Sequence, residues 1–434
     1  NNGYDYSSIK DGIVTDPSTI TSRDVNRSIY YDPVTVNVNR TTIDSVINSG
    51  VIPFNYNIFT GSMSRMFPLN SMTEGTEREY KLRTGDPTSK YLIETRSKYV
   101  DLSKYLGSDY FLGRIGYDES KDWNMARRLG DAYYETKYLN NVLLETLGTR
   151  FINGKADTAL IKELLDNGIE TGKNLQLSIG VELTKEQIAA LKSDIVWYVE
   201  KEVNGEKVLV PQIYLSQATL ETIKNPTTTI RAEETLKISS DSLVNQGRIE
   251  GKAVYVDSKD IINKSAGELR AEILGEKILI ESEKDVLNIG GTIKGTEGLQ
   301  ISAGGDVLNI TTATETKIED RIRGRERIYE GDSIQSIASI EGGEFLSIEA
   351  ENYTSRGAIT GSEGKTVIEA RNDVTLDTIN LREYGKEDNE KGGYDLYEIN
   401  QKVGSELTGK DYAVIDAKDI NIKGRVVASD GLVQ

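Results

Sequence analysis

The side chains that could do chemistry in this chain are carboxylates, Lys, Arg, Tyr and Ser, because the sequence contains neither His nor Cys. The commonest general base, the commonest zinc ligand and all thiol chemistry are therefore excluded. The densest mixed-charge cluster is Glu319–Arg327. It could clamp an anionic ligand, but interspersed charges on a strand more often form ion pairs on a solvated surface, and we expect the latter. No spacing in the sequence fixes the roughly 5–10 Å between carboxylates that glycosidase chemistry needs.

Aspartates recur where the C-terminal half of the sequence turns, at Asp285, Asp306, Asp373 and Asp419. Asp builds turns by bonding its own backbone two residues on, and we interpret these residues in that way. Tandem Gly-Gly-x-Gly-x-Asp calcium repeats are absent. The glycine pairs of Gly290–Thr292 and Gly304–Asp306 lack the Gly-Lys-Ser/Thr end of a phosphate loop. The sequence therefore predicts no catalytic residue, no metal site and no cofactor, and it leaves binding residues unassigned.

A degenerate repeat in the same half of the chain indicates the elements that position these residues. Aliphatic residues alternate at period two, followed by a small residue and an Asp/Asn-rich step. The anchor aliphatics of the repeat are Ile238, Val256, Ile280, Ile301, Ile348, Ile368 and Ile415. Successive anchors are 18, 24, 21, 47, 20 and 47 residues apart, and we interpret each step of 47 as two units with one degenerate or interrupted. Alternation at a period of roughly 20 residues predicts stacked β-coils with the anchors pointing inward.

We therefore predict a mainly β protein, a right-handed parallel β-helix with an α-helical insertion or cap in the N-terminal half. Residues 1–116 are rich in Tyr, Asn and Pro and are expected to form strands and loops, including a strand at Val34–Val38 that could belong to an early coil. Residues 117–217 are expected to be helical and to end in a β-hairpin. Residues 218–434 carry the β-helix repeats, with Arg382–Lys410 interpreted as a solvated loop.

The helical segment carries specific start and stop signals. Ser120 is expected to cap a first helix that ends at Gly148, and a second apolar stripe precedes Gly168. Thr184–Gln187 reads as a capping box that begins a third helix. Asn204-Gly205 predicts a tight hairpin, which we expect to pair with the first coils.

Composition excludes several classes of partner. The formal net charge of −17 opposes nonspecific binding to nucleic acid and to anionic lipid. No run of the sequence approaches the roughly 18 apolar residues of a membrane-spanning helix. The chain begins Asn1-Asn2, without Met or an apolar signal region, so we expect it to be an internal piece of a longer protein. We also expect it to be monomeric.

Five ordered motifs in the N-terminal half resemble the Tyr/Pro-rich segment of filamentous haemagglutinins and of contact-dependent growth inhibition effectors, which two-partner secretion exports. The motifs are Tyr91–Thr95, Ser108–Leu112, Arg128–Glu135, Leu183–Trp197 and Leu209–Leu215. In that family the segment leads into a second block of haemagglutinin repeats, as it does here. The resemblance covers about residues 85–434. It is strong over 91–215 and weaker over the repeats, and residues 1–60 match the family least.

The resemblance implies a secreted filament on the surface of a Gram-negative bacterium. Its members act in adhesion or deliver a C-terminal toxin into neighbouring bacteria, and the sequence leaves these two roles open. The implied partners are an outer-membrane two-partner secretion transporter and the target cell's outer membrane or a surface receptor. We predict a non-enzymatic structural and interaction segment. The alternative from another class is a polysaccharide-active β-helix lyase or hydrolase, which would need a groove lined by Asp, Lys and Arg.

Overall fold

The computed structural model describes residues 28–30, 41–54, 81–82, 89–94, 102–117, 127–203, 205–226, 228–267, 269–322, 324–388, 393–428 and 432–433. The predicted strand at Val34–Val38 and the predicted cap Ser120 lie outside these residues. Within the described part, the helices are α1 (Thr41–Ser49), α2 (Gly107–Ile115), α3 (Ala132–Leu147), α4 (Asp157–Asn174), α5 (Lys185–Ala189) and α6 (Gln217–Lys224). The strands before the repeats are β1 (Ser28–Tyr30), β2 (Lys81–Leu82), β3 (Tyr91–Glu94), β4 (Arg127–Gly130), β5 (Ile195–Val203) and β6 (Glu206–Tyr214).

The strands of the repeats follow in short succession along the chain. They are β7 (Thr229–Arg231), β8 (Thr235–Asn245), β9 (Arg248–Glu250), β10 (Ala253–Lys264), β11 (Glu272–Ser282), β12 (Val286–Ile289), β13 (Thr292–Ala303), β14 (Val307–Ile310), β15 (Thr312–Ile322), β16 (Arg325–Ser336), β17 (Ser339–Gly342), β18 (Phe345–Ala350), β19 (Tyr353–Arg356), β20 (Ile359–Ser362), β21 (Lys365–Ala370), β22 (Asp373–Asp388), β23 (Tyr394–Gly404), β24 (Glu406–Gly409), β25 (Tyr412–Asp416), β26 (Asp419–Ile422), β27 (Arg425–Val427) and β28 (Leu432–Val433).

The repeat strands pair in three parallel ladders. One ladder, here named the anchor ladder, joins β8, β10, β11, β13, β18, β21 and β25, and it aligns the anchors as Ile238↔Val256↔Ile280↔Ile301↔Ile348↔Ile368↔Ile415. The five central anchors are fully buried, and the two end anchors pack against the same core. The predicted inward orientation is therefore confirmed. The protein is mainly β, with curled sheets and few helices, as the alternating pattern predicts.

The interpretation of each 47-residue step as two units was wrong. Ile301 pairs directly with Ile348, and Ile368 pairs directly with Ile415, so each step is a single coil. The additional residues form antiparallel hairpins, β15–β16 and β22–β23, which pair with each other through β16 and β22. Most of Arg382–Lys410 is therefore a β-hairpin and not a solvated loop. Antiparallel pairing satisfies its backbone, and Arg382 forms an ion pair with Glu398 across the two strands.

Helices α1–α6 and the five-stranded sheet β2-β3-β4-β6-β5, here named the α/β unit, precede the coils. The helix expected to run from Ser120 begins only at Ala132, where Asp131 accepts a hydrogen bond from the Tyr134 N–H at 2.9 Å. Leu129 lies on strand β4 instead, because β4 pairs with both β3 and β6. Leu129 is buried on this strand. A buried apolar residue fits the pattern of a helix as well as that of a strand, so its hydrophobicity did not distinguish the two. The predicted stop at Gly148 is confirmed, with φ of 70°.

Helix α4 passes through Gly168, which we expected to lie beyond its end. A side chain at Gly168 would overlap the backbone carbonyl of Val196, so this glycine allows α4 to pack closely on β5. The capping box at Thr184 and Gln187 is confirmed, with both hydrogen bonds present.

The hairpin of β5 and β6 is also confirmed, but its predicted pairing with the first coils was wrong. β6 pairs with β4, and the backbone of Gly180 bonds to the outer edge of β5 at Tyr198 and Glu200. Both strands are largely buried, including Trp197 on β5. Because the sheet of the α/β unit occupies the hairpin's edges, the hairpin is not available to the coils.

Candidate functional site at the junction of the helices and the coils

The α/β unit is bonded to the coils at the C-terminal ends of two helices. Arg248, on β9, donates to the carbonyl of Lys224 at 2.7 Å and to that of Ile223 at 3.3 Å, at the end of α6. A cation is favourable there because the last carbonyls of a helix lack intrahelical donors and carry partial negative charge. At the end of α3, the carbonyl of Gly148 accepts from the Ile337 N–H at 3.3 Å. The sequence places these partners up to 189 positions apart, so only the fold brings them together.

A cavity of about 270 Å³ lies between these two attachments. Its apolar lining comes from both sides of the junction and includes Leu147, Phe151, Ile152, Ile223 and Leu269. Four threonines add hydroxyl groups to the lining. The volume is close to the lower end of small-molecule pockets, which are typically about 300–1,000 Å³ and mostly apolar with a few polar groups.

Two guanidinium groups and one carboxylate also line the cavity. Glu272 accepts from Arg248 Nε at 2.8 Å and lies 3.2 Å from Arg270 Nε. Arg270 also donates to the Thr292 hydroxyl at 3.2 Å. Gly148 makes room for Arg270, since a Cβ at this position would lie 2.7 Å from Arg270 Nη2.

A polar network joins an exposed residue of the loop that borders the cavity to the buried Asp194, Ser216 and Thr219. Asn153 donates to Asp194 Oδ2 at 3.1 Å and to the Thr219 hydroxyl at 3.1 Å. Asp194 also accepts from the Ser216 N–H at 2.7 Å. Burial raises the pKa of Asp194, against the opposing effect of these hydrogen bonds. The backbone of Asn153 is left-handed, with φ of 48°, a conformation that Asn tolerates better than most residues.

A second acidic group, Glu135 on α3, is fully buried in the α/β unit. Its carboxylate accepts from the Ser108 N–H at 2.8 Å and from the Tyr198 hydroxyl at 2.7 Å. Burial raises the pKa of Glu135 to about 8, because the charged form loses its hydration. A shifted pKa of this kind can mark a catalytic acid. With no exposed surface, however, Glu135 cannot reach a substrate in this conformation, and we assign it to the stability of the unit.

Tyrosines of the α/β unit form core contacts. Tyr110, Tyr133, Tyr134 and Tyr138 are all buried. Tyr133 packs edge-on against Tyr329 of β16, with 5.6 Å between ring centroids, and its hydroxyl bonds to Glu383 of β22. These contacts fix α3 to the two hairpins, so these tyrosines fill the core and the junction instead of forming an open contact surface.

The Glu319–Arg327 cluster surrounds the turn of the β15–β16 hairpin, away from the cavity lining. Lys317 lies 2.9 Å from Glu319 and 3.5 Å from Glu330, and Arg327 lies 3.6 Å from Glu387. The first pair lies within β15, and the other two cross between strands. The cluster is therefore ion-paired, as interpreted, but Arg327 and Glu387 are largely buried and do not form a solvated surface.

Two of the four turn aspartates, Asp285 and Asp306, bond between coils, where we expected bonds to their own backbone. Asp285 accepts from the Asp306 N–H of the following coil at 2.8 Å. Asp306 in turn accepts from the Asn352 side chain at 2.7 Å, and Asn352 accepts from the Asp373 N–H at 3.1 Å. Stacking places each turn directly over the next, so the adjacent coil supplies a nearer donor than the residue's own turn does. Asp419 lies on β26, paired with Asp373.

An open groove of about 580 Å³ follows the outer edge of the anchor ladder. Glu349, Glu369 and Asp416 align in register along it, and Arg371 and Lys418 also line it. Alanines provide the remaining surface. A groove lined by acidic and basic residues is the feature that the alternative hypothesis, a polysaccharide-active enzyme, requires. Within the described residues, no group of three or more acidic side chains is arranged to hold a metal ion.

A stack of buried asparagines was not identified from the sequence. The side-chain amides of Asn245, Asn263, Asn288 and Asn309 bond from each coil to the next at 2.8 Å. Three of the four are fully buried. A signal was present, because each lies seven or eight positions after an anchor aliphatic. The general enrichment of Asn in turns concealed it.

The chain is similar to large bacterial toxins. It is 32% identical over 288 residues to the "tRNA nuclease CdiA" of Escherichia coli O6:K15:H31, a match that covers 65% of this chain and 9% of that protein. It is 34% identical over 231 residues to the "16S rRNA endonuclease CdiA" of Enterobacter cloacae, covering 52% of this chain and 7% of the relative. The "Protein adenylyltransferase and cysteine protease IbpA" of Histophilus somni is 31% identical over 216 residues, which are 47% of this chain and 5% of that protein. No family model and no solved structure matches.

Stacked parallel coils joined to an α/β unit define a repeat-built β protein, and the similar proteins specify its kind. The chain belongs to the family of filamentous haemagglutinins and contact-dependent growth inhibition effectors that two-partner secretion exports. The resemblance seen in the five motifs is thereby confirmed. The chain spans about a tenth of the length of the relatives that it matches. Within the described residues, none of the helices is long and apolar enough to cross a membrane.

Proposed function

We propose that this chain is a non-enzymatic structural segment of a secreted surface protein that delivers a toxin into neighbouring bacteria by contact. The relatives named as CdiA toxins and nucleases support delivery. Their nuclease names describe proteins about ten times longer, and we assign that activity to regions outside the matched segment. Adhesion is the second role compatible with the family. The partners in this proposal are an outer-membrane secretion transporter and the surface of the target cell.

The observation that carries the proposal is the unbroken register of the anchor ladder from Ile238 to Ile415. In a solenoid each coil contacts only its neighbours, so length and stiffness grow by stacking and need no separate core. Such a rod suits a segment that spans distance between cells. The junction then fixes the direction in which the coils leave the α/β unit, through Arg248, Gly148 and Tyr133.

The finer architecture also belongs to the proposal. We expect the three ladders to close into a right-handed β-helix, because parallel crossover connections are right-handed in nearly all proteins. We further divide the chain into the segments 1–116, 117–217 and 218–434. We expect the helices to pack on the coils and not to form a detached domain, and limited proteolysis tests this. Release of a stable, separately folded piece covering 117–194 would contradict it.

An exchange experiment tests the proposed delivery role. This chain would replace the matching segment of the Escherichia coli tRNA nuclease CdiA, and growth inhibition of target bacteria would be measured together with surface display. Ile301→Asp places a charge in the core of the anchor ladder and should abolish delivery while the nuclease stays active in isolation. The side chain of the adjacent Gln300 is exposed, so Gln300→Asp serves as the matched control. Full delivery by the Ile301→Asp chain would contradict the proposal.

A polysaccharide-active enzyme is the alternative from another functional class. The groove lined by Glu349, Glu369 and Asp416 is the observation that favours it. Incubation with acidic and neutral polysaccharides tests this alternative. Reproducible cleavage that Glu369→Gln abolishes would replace the structural proposal with an enzymatic one. Cleavage that survives Glu369→Gln would count against this groove as the site.

A further inference from the structure

Strand β15, Thr312–Ile322, is an edge of the antiparallel sheet that the two hairpins build. β15 pairs with β16, β16 pairs with β22, and β22 pairs with β23. Among the residues that the structure describes, no strand pairs with the other side of β15. An edge strand presents a row of backbone N–H and C=O groups that can bond to a further strand. This open side of β15 is here named the β15 edge.

The exposed face of β15 carries charges of alternating sign. Its charged residues occupy every second position and therefore lie on one face; they are Glu315, Lys317, Glu319 and Arg321. An edge with charges of a single sign would repel a second strand, which is one way in which proteins protect their edges. Alternating signs attract a second strand instead, provided that its register places opposite charges side by side.

The sequence of β15 is complementary to itself in one antiparallel register, in which Ile318 lies opposite Ile318 of a second copy. Lys317 then faces Glu319 of the second copy. One step further out, Glu315 faces Arg321 of the second copy. The twofold axis repeats both pairs in the reverse direction. A register centred on Lys317 would instead place two lysines opposite each other, and like charges in that position destabilise a sheet.

The two faces of β15 would both gain contacts in this register. Lys317 lies 2.9 Å from Glu319 of its own strand, so the paired strands would form a ring of four charges with alternating sign. Ile318 is on the opposite face, partly buried against the core of the α/β unit. The Ile318 side chains of the two copies would meet on that face, and apolar cross-strand pairs stabilise a sheet.

We propose that two copies of this chain associate side by side through the β15 edge, as antiparallel strands with Ile318 on the twofold axis. The occupant of the edge is a second copy, because its own β15 supplies the complementary charges. This association goes beyond the proposed delivery role, and it differs from the monomer expected from the sequence. A contact made mainly by one strand of each copy buries less area than a standard interface, so we expect a Kd on the order of 10–100 μM.

Sedimentation velocity of the 434-residue chain, between about 1 and 300 μM, tests the proposal. The parent chain should change from monomer to dimer as its concentration rises, and salt should weaken the dimer by screening the charges. Lys317→Glu and Glu319→Lys each place like charges opposite each other, and each should raise the Kd about tenfold or more. An equal mixture of the two variants should associate again, because each supplies the charges that the other lacks.

Lys277→Glu is the matched control, since it reverses an exposed lysine of an ion pair between coils, outside β15. It should associate like the parent chain, and circular dichroism verifies that each variant is folded. Hydrogen exchange of a peptide covering 312–322 should slow at the concentrations at which the dimer forms. A parent chain that stays monomeric would overturn the proposal. Association that survives Lys317→Glu would place the interface elsewhere, and a mixture that stays monomeric would refute the register.

Discussion

Replacement of Asn288 by Ala should destabilise the coils far more than the loss of a side chain of this size at the surface. The Asn288 amide donates to the carbonyls of Gly291 and Ser339 at 2.9 and 3.0 Å and to Asn309 Oδ1 at 2.8 Å. Its oxygen accepts from Asn263 at 2.8 Å. The residue is fully buried, so no solvent replaces these bonds without rearrangement. Each buried group that loses its partner costs about 1–3 kcal/mol, and we expect a total of about 3–5 kcal/mol.

The assay is urea unfolding of the whole chain, followed by circular dichroism and by tryptophan fluorescence. Both tryptophans of the sequence, Trp123 and Trp197, precede the repeats, so fluorescence reports the N-terminal part and circular dichroism reports all of the β-structure. The Asn288→Ala change should shift the circular dichroism transition to lower urea. Gln300→Ala, one exposed residue of the same coils, should change stability by less than about 0.5 kcal/mol. If the two variants unfolded at the same urea concentration, the asparagine stack would not stabilise the coils.

Three further predictions follow from the core and the α/β unit. Ile301→Ala should cost about 2–5 kcal/mol by leaving a cavity in the anchor ladder, and an unchanged melting curve would argue against burial. Gly168→Ala should destabilise the α/β unit, because a Cβ overlaps the Val196 carbonyl; fluorescence unfolding with Gly113→Ala, whose Cβ meets open space, as control measures this. The pKa of Glu135 is raised from 4.5 to about 8, so the unfolded chain releases this proton first and stability falls as pH rises from about 4.5 to about 8. Glu135→Gln should remove a loss on the order of 5 kcal/mol across that window, and parallel pH profiles for the two proteins would refute this assignment.

Features of the fold that depend on short-range patterns could be predicted from the sequence. Period-two aliphatics at coil spacing specified the strands and the inward anchors, because the side chains of a strand alternate between its two faces. Local signals also predicted the capping box at Thr184, the helix end at Gly148 and the turn at Gly205. In each case the residues that carry the signal are within a few positions of one another and satisfy their hydrogen bonds locally.

The pairing between distant segments could not be predicted from local patterns and depends on the tertiary structure. The 47-residue steps contain hairpins because β16 and β22 bond to each other and to α3, partners that no local pattern names. Leu129 became part of a strand because β3 and β6 offered backbone partners on both of its sides. The asparagine stack and the ion pairs of Glu272 with Arg248 and Arg270 likewise form only when separate coils are stacked. Hydrophobic periodicity fixes which face of a segment is buried, but the partners of its hydrogen bonds and charges depend on what the rest of the chain places beside it.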